Sequence, residues 1–208
     1  YPELQIYMTP MNIDENLSDG ENESASIFQS LGRKLLVRGK KVAKPGVQID
    51  INLERPRSLG NVSLYSSNPS DYPKIDPNYL SNKKDLDDLV EGVKEVRKIM
   101  SDPNISKYLN GEKGHWKNIS TDEEIISAIR NTAYTGHHPC STAKMGNEND
   151  INSVVDKELK VFGIEGLRIC DASAMPSQIT GNLYATVLAM AEKASDIILK
   201  KEIKKPEF

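Results

Sequence analysis

Tyr134-Thr-Gly-His-His-Pro-Cys-Ser-Thr-Ala-Lys-Met-Gly146 sets His138 inside a turn rich in Gly, Pro and Ser. Downstream come Asp171-Ala-Ser-Ala-Met-Pro176 and Thr180-Gly-Asn-Leu183, the latter just ahead of an apolar helical stretch. An imidazole trades a proton near neutral pH. A carboxylate after an apolar strand and an amide before a helix N-terminus are polar groups for which a hydrophobic core has no use. The three segments together describe a site.

Each residue also has an ordinary reading. His138 can be a surface-loop histidine, and the adjacent His137 leaves open which of the two is the base. Asn182 can be an N-cap or turn residue. Asp171 either begins a turn or marks the carboxyl end of a parallel strand, where open α/β sheets bind ligands. A His137–His138 metal site lacks a carboxylate at helical spacing, so no metal is expected. Cys140 offers a second enzymatic reading as a thiol partner of His138. Two residues apart in one turn, those groups are not expected to meet. His115, in Gly114-His-Trp116, reads as a loop histidine beside the sole tryptophan.

The 208 residues suffice for one large domain or two small ones. A composition of 38% hydrophobic and 27% charged residues describes a soluble, polar globular chain. Its 27 basic and 30 acidic residues leave a net charge of -3, which argues against nucleic acid or an anionic membrane as partner. The longest apolar run, near Ala185–Ala191, is too short to span a bilayer, so no transmembrane segment is expected. Cys140 and Cys170 form no disulfide framework, and a reduced, cytoplasmic setting is the expectation. The chain opens on Tyr1-Pro2 without a visible signal or transit segment.

Alternation predicts strands at Leu4–Met8, Lys34–Arg38 and Val47–Leu53, the last with Val47, Ile49, Ile51 and Leu53 on one face. Asn12–Ser26 is polar and reads as an exposed loop. Pro56–Gly60 reads as a turn, Asn61–Tyr65 as a strand, and Asn68–Pro73 with Asp76–Tyr79 as proline-punctuated loop. Leu86, Leu89, Val90, Val93, Val96 and Met100 recur at helical spacing, predicting a helix over 83–100 that Ser101-Asp-Pro103 stops. Thr121 and Glu124 form a capping box for a second helix over 122–133, with Ile125, Ile126 and Ile129 buried. Val154–Asp156 and Leu159–Phe162 lead to a tight turn at Gly163-Ile-Glu-Gly166, and Leu167–Cys170 reads as a short strand. The last helix, over 185–200, is expected to bury Leu188, Ala191, Ile198 and Leu199. Its alanines at 185, 189, 191 and 194 permit close approach of a neighbour.

The motifs also carry a resemblance. His138-Pro-Cys-Ser-Thr-Ala-Lys-Met-Gly146, Gly166-Leu-Arg-Ile-Cys-Asp-Ala-Ser-Ala-Met-Pro176, Thr180-Gly-Asn-Leu-Tyr-Ala-Thr186 and Ala191-Glu-Lys-Ala-Ser-Asp196 occur in that order. Pro56-Arg-Ser-Leu-Gly60 and Ile75-Asp-Pro-Asn-Tyr79 precede them. From about Arg55 to Leu199 the pattern resembles the glucose–methanol–choline (GMC) family of FAD-dependent alcohol oxidoreductases, with its choline-dehydrogenase-like branch nearest.

The resemblance implies an α+β fold: a mainly antiparallel sheet backed by helices, plus the C-terminal strand–helix portion of an FAD-binding α/β domain. Residues 1–135 would be part of the substrate-binding domain, and 136–208 would complete the FAD-binding domain. It further implies that His138 is the base taking the hydroxyl proton of a small-molecule alcohol as hydride passes to FAD. Asn182 would hydrogen-bond the same oxygen and adjoin the cofactor. Asp171 and Ala172 would contact the phosphates or ribityl chain, and Tyr184 would lie beside the ring system through its backbone. His138 and Asn182 should then converge on one cleft while His137 points elsewhere.

Two departures from the family pattern qualify this. No Gly-x-Gly-x-x-Gly loop occurs in the sequence, so the chain reads as a C-terminal fragment whose partner is an N-terminal FAD-binding half. Alone it is expected to be inactive and to expose the apolar flank of its last helix. His137 stands where choline-acting members often carry tyrosine, and quaternary ammonium groups favour aromatic faces. The expected substrate is therefore an alcohol not narrowed to choline, and the resemblance implies oxidation of a primary alcohol to an aldehyde. The alternative is an interaction module or non-catalytic remnant that keeps the scaffold.

Overall fold

Alternating apolar residues pair β1 (Leu4–Ile13) with β2 (Lys44–Leu53) as an antiparallel ladder. This is seen in a computed structural model that describes residues 3–13 and 44–201. The register sets Leu4 opposite Leu53, Ile6 opposite Ile51 and Met8 opposite Ile49, so all six share one face. The predicted strand at Lys34–Arg38 and most of the polar loop fall outside the described residues. Asn12 belongs to β1 instead of that loop.

The described chain divides into two units, one from Glu3–Leu53 and Leu80–Gly136, the other from Glu54–Tyr79 and the chain from His137 on. In the first, α1 (Lys83–Met100) forms as its spacing predicts, with Leu86, Leu89, Val90 and Val93 buried. Asn82 caps it by accepting from the Lys84 N–H at 2.9 Å. Leu4, Ile51 and Leu53 pack against this stripe, whereas Ile6 and Met8 stay exposed. Gly92 permits the approach: a Cβ there would lie 2.9 Å from both Ile51 Cγ2 and Leu4 Cδ1.

Pro103 stops α1 and opens the short α2 (Pro103–Ser106), where its missing N–H costs nothing. The Asp102 carboxylate caps that turn through the Asn104 N–H at 2.8 Å. His115 lies in a 3-10 turn, Gly114–Trp116, not in an irregular loop. The expected capping box starts α3 (Asp122–Thr132): the Glu124 N–H donates to Thr121 Oγ1 at 3.2 Å, and the Thr121 N–H donates to Glu124 Oε2 at 3.0 Å. The Ser120 backbone N–H, then that of Thr121, holds the Glu124 carboxyl below its ordinary pKa. Ile125 and Ile129 join the α1 stripe in one core, each worth about 1.5–3 kcal/mol of burial.

The second unit is built differently. β3 (Asn61–Ser63) pairs antiparallel with β4 (Lys74–Asp76), every side chain of both being exposed. β3 is shorter than the strand expected over 61–65, and three exposed residues of β4 left no periodic signal. Beyond His137 the chain runs through turns tied by single bridges: Met145 to Val155 parallel, Val155 to Val161 and Lys160 to Arg168 antiparallel. The expected strand at Leu167–Cys170 is therefore corrected to one bridge at Arg168. Left-handed turns at Leu159, Gly163 and Gly166 reverse the chain too often for a ladder to grow.

The last helix, α4 (Tyr184–Ile198), docks through Ala194 and Met190 onto a core of Val155, Leu159 and Ala174. Leu188, Ala191, Ile198 and Leu199, expected to be buried, are exposed, Ile198 to 55%. The close-packed contact uses the small residue Ala194, while the larger Leu188, Ile198 and Leu199 remain open to solvent. The fold class is α+β, with antiparallel pairs and helices. No helix among the described residues is long and apolar enough to cross a membrane.

Candidate functional site

His138 sits between two residues with left-handed backbones, His137 at φ 60° and Ser141 at φ 68°. A non-glycine residue adopts that region at a cost of about 1–3 kcal/mol where its surroundings require it. These two reversals make the His138-Pro139-Cys140 corner, and the His138 side chain stands exposed on it.

The chain after the corner is anchored along the Asp171 turn. The Ser141 N–H donates to Ala172 O at 3.2 Å, Ala143 to Ser173 O at 2.9 Å and Met145 to Ala174 O at 3.0 Å. Ala143, Ala174 and Met175 are buried beneath this ladder. Asp171 takes the turn reading: its carboxylate accepts the Ser173 N–H at 2.7 Å and caps a 3-10 turn over Ala172–Ala174. It does not follow a parallel strand.

Asn182 is not the N-cap of α4. That position is Leu183, and no side-chain hydrogen bond caps the helix. Leu183 has no polar side-chain atom with which to cap the first-turn N–H groups, which carry the positive end of the helix dipole. Asn182 is exposed immediately before them and Tyr184 opens the helix, 75% exposed. Gly181 turns the chain at φ 95°, with nothing within 4 Å of a Cβ built there, so glycine serves its conformation and not its size.

Two residues that the sequence did not single out bind the loop ahead of Asn182. The Cys140 thiol donates to Gln178 Oε1 at 3.0 Å, linking the His138 corner to that loop. The thiol is thereby engaged away from the role of nucleophile weighed for it. Glu54, buried to 7% exposure, accepts the Gly181 N–H. Neither had a periodic or motif signal, because both act through partners far away in sequence. His138, Asp171, Ala172, Asn182 and Tyr184 all belong to the second unit.

A turn of Lys144–Ser153 braces the far end of the His138 segment. Asp150 accepts from the Asn152 N–H, Lys144 Nζ and Ser153 Oγ, each at 3.0 Å. These donors, the Asn152 N–H foremost, lower its carboxyl pKa to about 2. A Cβ on Gly146 would run into Ser153, so the closing glycine of the motif is a packing requirement. Because the folded pKa is depressed, the brace stabilises fully above the unfolded carboxylate pKa of about 4. It is lost as pH falls through about 2. Asp150→Asn should therefore melt below the parent near neutral pH, the gap closing on acidification. A gap constant across that range would contradict the role.

Comparison with known proteins adds family relations to this geometry. A family model described as GMC oxidoreductase matches residues 56–191. Mitochondrial choline dehydrogenase of Mus musculus is 37% identical over 172 residues, 82% of this chain and 29% of that protein. Alcohol dehydrogenase (acceptor) of Pseudomonas putida is 38% identical over 175 residues, 84% of this chain and 31% of that protein. A solved FAD-dependent oxidoreductase from Chaetomium thermophilum superposes with a TM-score of 0.66 at 31% identity, over 77% of this chain and 27% of that one. The chain thus spans less than a third of each of these proteins.

Proposed function

The chain belongs to the GMC oxidoreductase family, and on that premise we propose that it forms the alcohol-handling C-terminal portion of an FAD-dependent oxidoreductase. Its reaction is oxidation of a primary alcohol to an aldehyde. Residues 1–135 contribute to the substrate-binding domain and 136–208 complete the FAD-binding domain, whose remainder is an N-terminal half bearing the glycine-rich loop.

The residues present fit FAD along one side. The uncapped N-terminus of α4, next to the exposed Asn182 amide, offers donors to an electron-rich acceptor group. Asp171 and Ala172 would hold the cofactor's polar chain, and Tyr184 would adjoin its ring system through the backbone. When bound, FAD supplies the acceptor for the hydride that leaves the carbinol carbon. His138 takes the hydroxyl proton, and Asn182 donates to the same oxygen as its negative charge develops. A carbinol releases hydride readily only as its oxygen loses the proton, so the two groups serve one atom.

The ladder from residues 141–145 onto 172–174, together with the Cys140–Gln178 bond, carries this reading. It gives the base, the cofactor turn and the amide loop a shared framework. The test is the visible spectrum of a protein that carries both halves. Bound flavin that bleaches without oxygen when alcohol is added is the expected result. A protein folded but free of flavin would leave the segments as inherited scaffold, the interaction-module alternative.

A further inference from the structure

Glu54 is a buried carboxylate that the proposed chemistry does not use. It follows directly on β2, yet its bond goes to the backbone N–H of Gly181, 127 positions along the chain. Glu54 and Gly181 fall within the same unit, so the bond is internal to it. A carboxylate in an interior needs a donor, and a bond to an ionised acceptor is stronger than a neutral one. The partner chosen is the glycine next to Asn182, at a left-handed φ of 95° in open space. Gly181 is the conformationally freest residue type at the point where the amide must be aimed.

We propose that Glu54 is a positioning residue that fixes the Thr180–Gly181 peptide, whose N–H it accepts, and thereby sets how the chain enters Asn182 and aims its amide at the substrate oxygen. The inference rests on the role proposed above for Asn182. It also assigns a use to Glu54, two residues ahead of the Pro56–Gly60 turn, which the motifs left without one. Glu54 acts through the backbone of Gly181, and Asn182 makes the contact with substrate. The Cys140–Gln178 bond fixes the same loop nearer its start, so Glu54 controls its last step before α4.

Backbone hydrogen exchange in the 208-residue chain and alcohol-driven flavin reduction in a protein with both halves test this together. Glu54→Leu should speed exchange at Gly181 by about 10- to 100-fold, the worth of one charge-assisted bond. Amides inside α4 and the melting temperature should stay near the parent's. Glu54→Gln, which keeps an acceptor of the same length, should restore most of the protection and most of the reduction rate. Unchanged exchange at Gly181 in Glu54→Leu overturns the proposal. So does faster exchange with an unaltered reduction rate, provided Asn182→Ala in the same assay is slow. If Asn182→Ala reduces as fast as the parent, the failure lies with the functional reading, and exchange alone decides what Glu54 holds.

Discussion

Expressed alone, residues 1–208 are expected to bind no FAD and to oxidise no alcohol. The pyrophosphate of a dinucleotide is held mainly by backbone N–H groups where a glycine-rich loop enters a helix. The sequence has no Gly-x-Gly-x-x-Gly. Its closest approach, Gly163 to Gly166, joins the bridges at Val161 and Arg168 without entering a helix, and Glu165 within it would repel phosphate. The uncapped start of α4 supplies one set of donors, enough for one wall of a site. Fluorescence titration with FAD should show no saturable quenching, and dye reduction should stay at background with any alcohol. Saturable binding at micromolar concentration would relocate the cofactor site. The same preparation should self-associate as its concentration rises, because the flank of α4 with Leu188, Ile198 and Leu199 is open to solvent.

What the sequence made legible were the elements whose signal is local. The stripe from Leu86 to Val93 and the Thr121–Glu124 capping box each depend on residues within a turn or two, and both fold as read. Pro103 was read as a stop and is also a start, since a proline that ends one helix suits the first turn of the next. The errors lie where partners are distant. Leu167–Cys170 has strand composition, but the reversals at Gly163 and Gly166 allow it one bridge only. On α4 the close approach read from its small residues holds at Ala194, whereas apolar periodicity put the buried face on Leu188, Ala191, Ile198 and Leu199, which are exposed.

The site divides in the same way. His138, Asp171 and Asn182 stood out because their motifs are contiguous, while Gln178 and Glu54, which bind the loop ahead of Asn182, did not. A glutamine in a polar loop and a glutamate after a strand look like solvated surface. Only folding shows Cys140 meeting Gln178 and Glu54 meeting the Gly181 N–H. The reading of Asn182 as an N-cap failed because Leu183 takes that position. Gly146 shows the converse, a motif glycine whose packing against Ser153 became visible only in three dimensions.

The largest single-residue effect is expected at His138. Replacing it by alanine removes the proposed proton acceptor while leaving the backbone of the corner, which His137 and Ser141 define, unchanged in sequence. A positioned base is worth on the order of 10²–10⁴-fold in rate. Asn182→Ala should also slow the reaction, because one donor to the developing charge is lost. FAD should remain bound in both variants, since neither change touches the glycine-rich half that holds the pyrophosphate. The decisive measurement is anaerobic rapid mixing of alcohol with the protein carrying both halves, following the loss of visible flavin absorbance in the parent and in His138→Ala. The expected result is two flavin-replete proteins whose reduction rates differ on the order of 10²–10⁴-fold. Equal rates in the two proteins would contradict it.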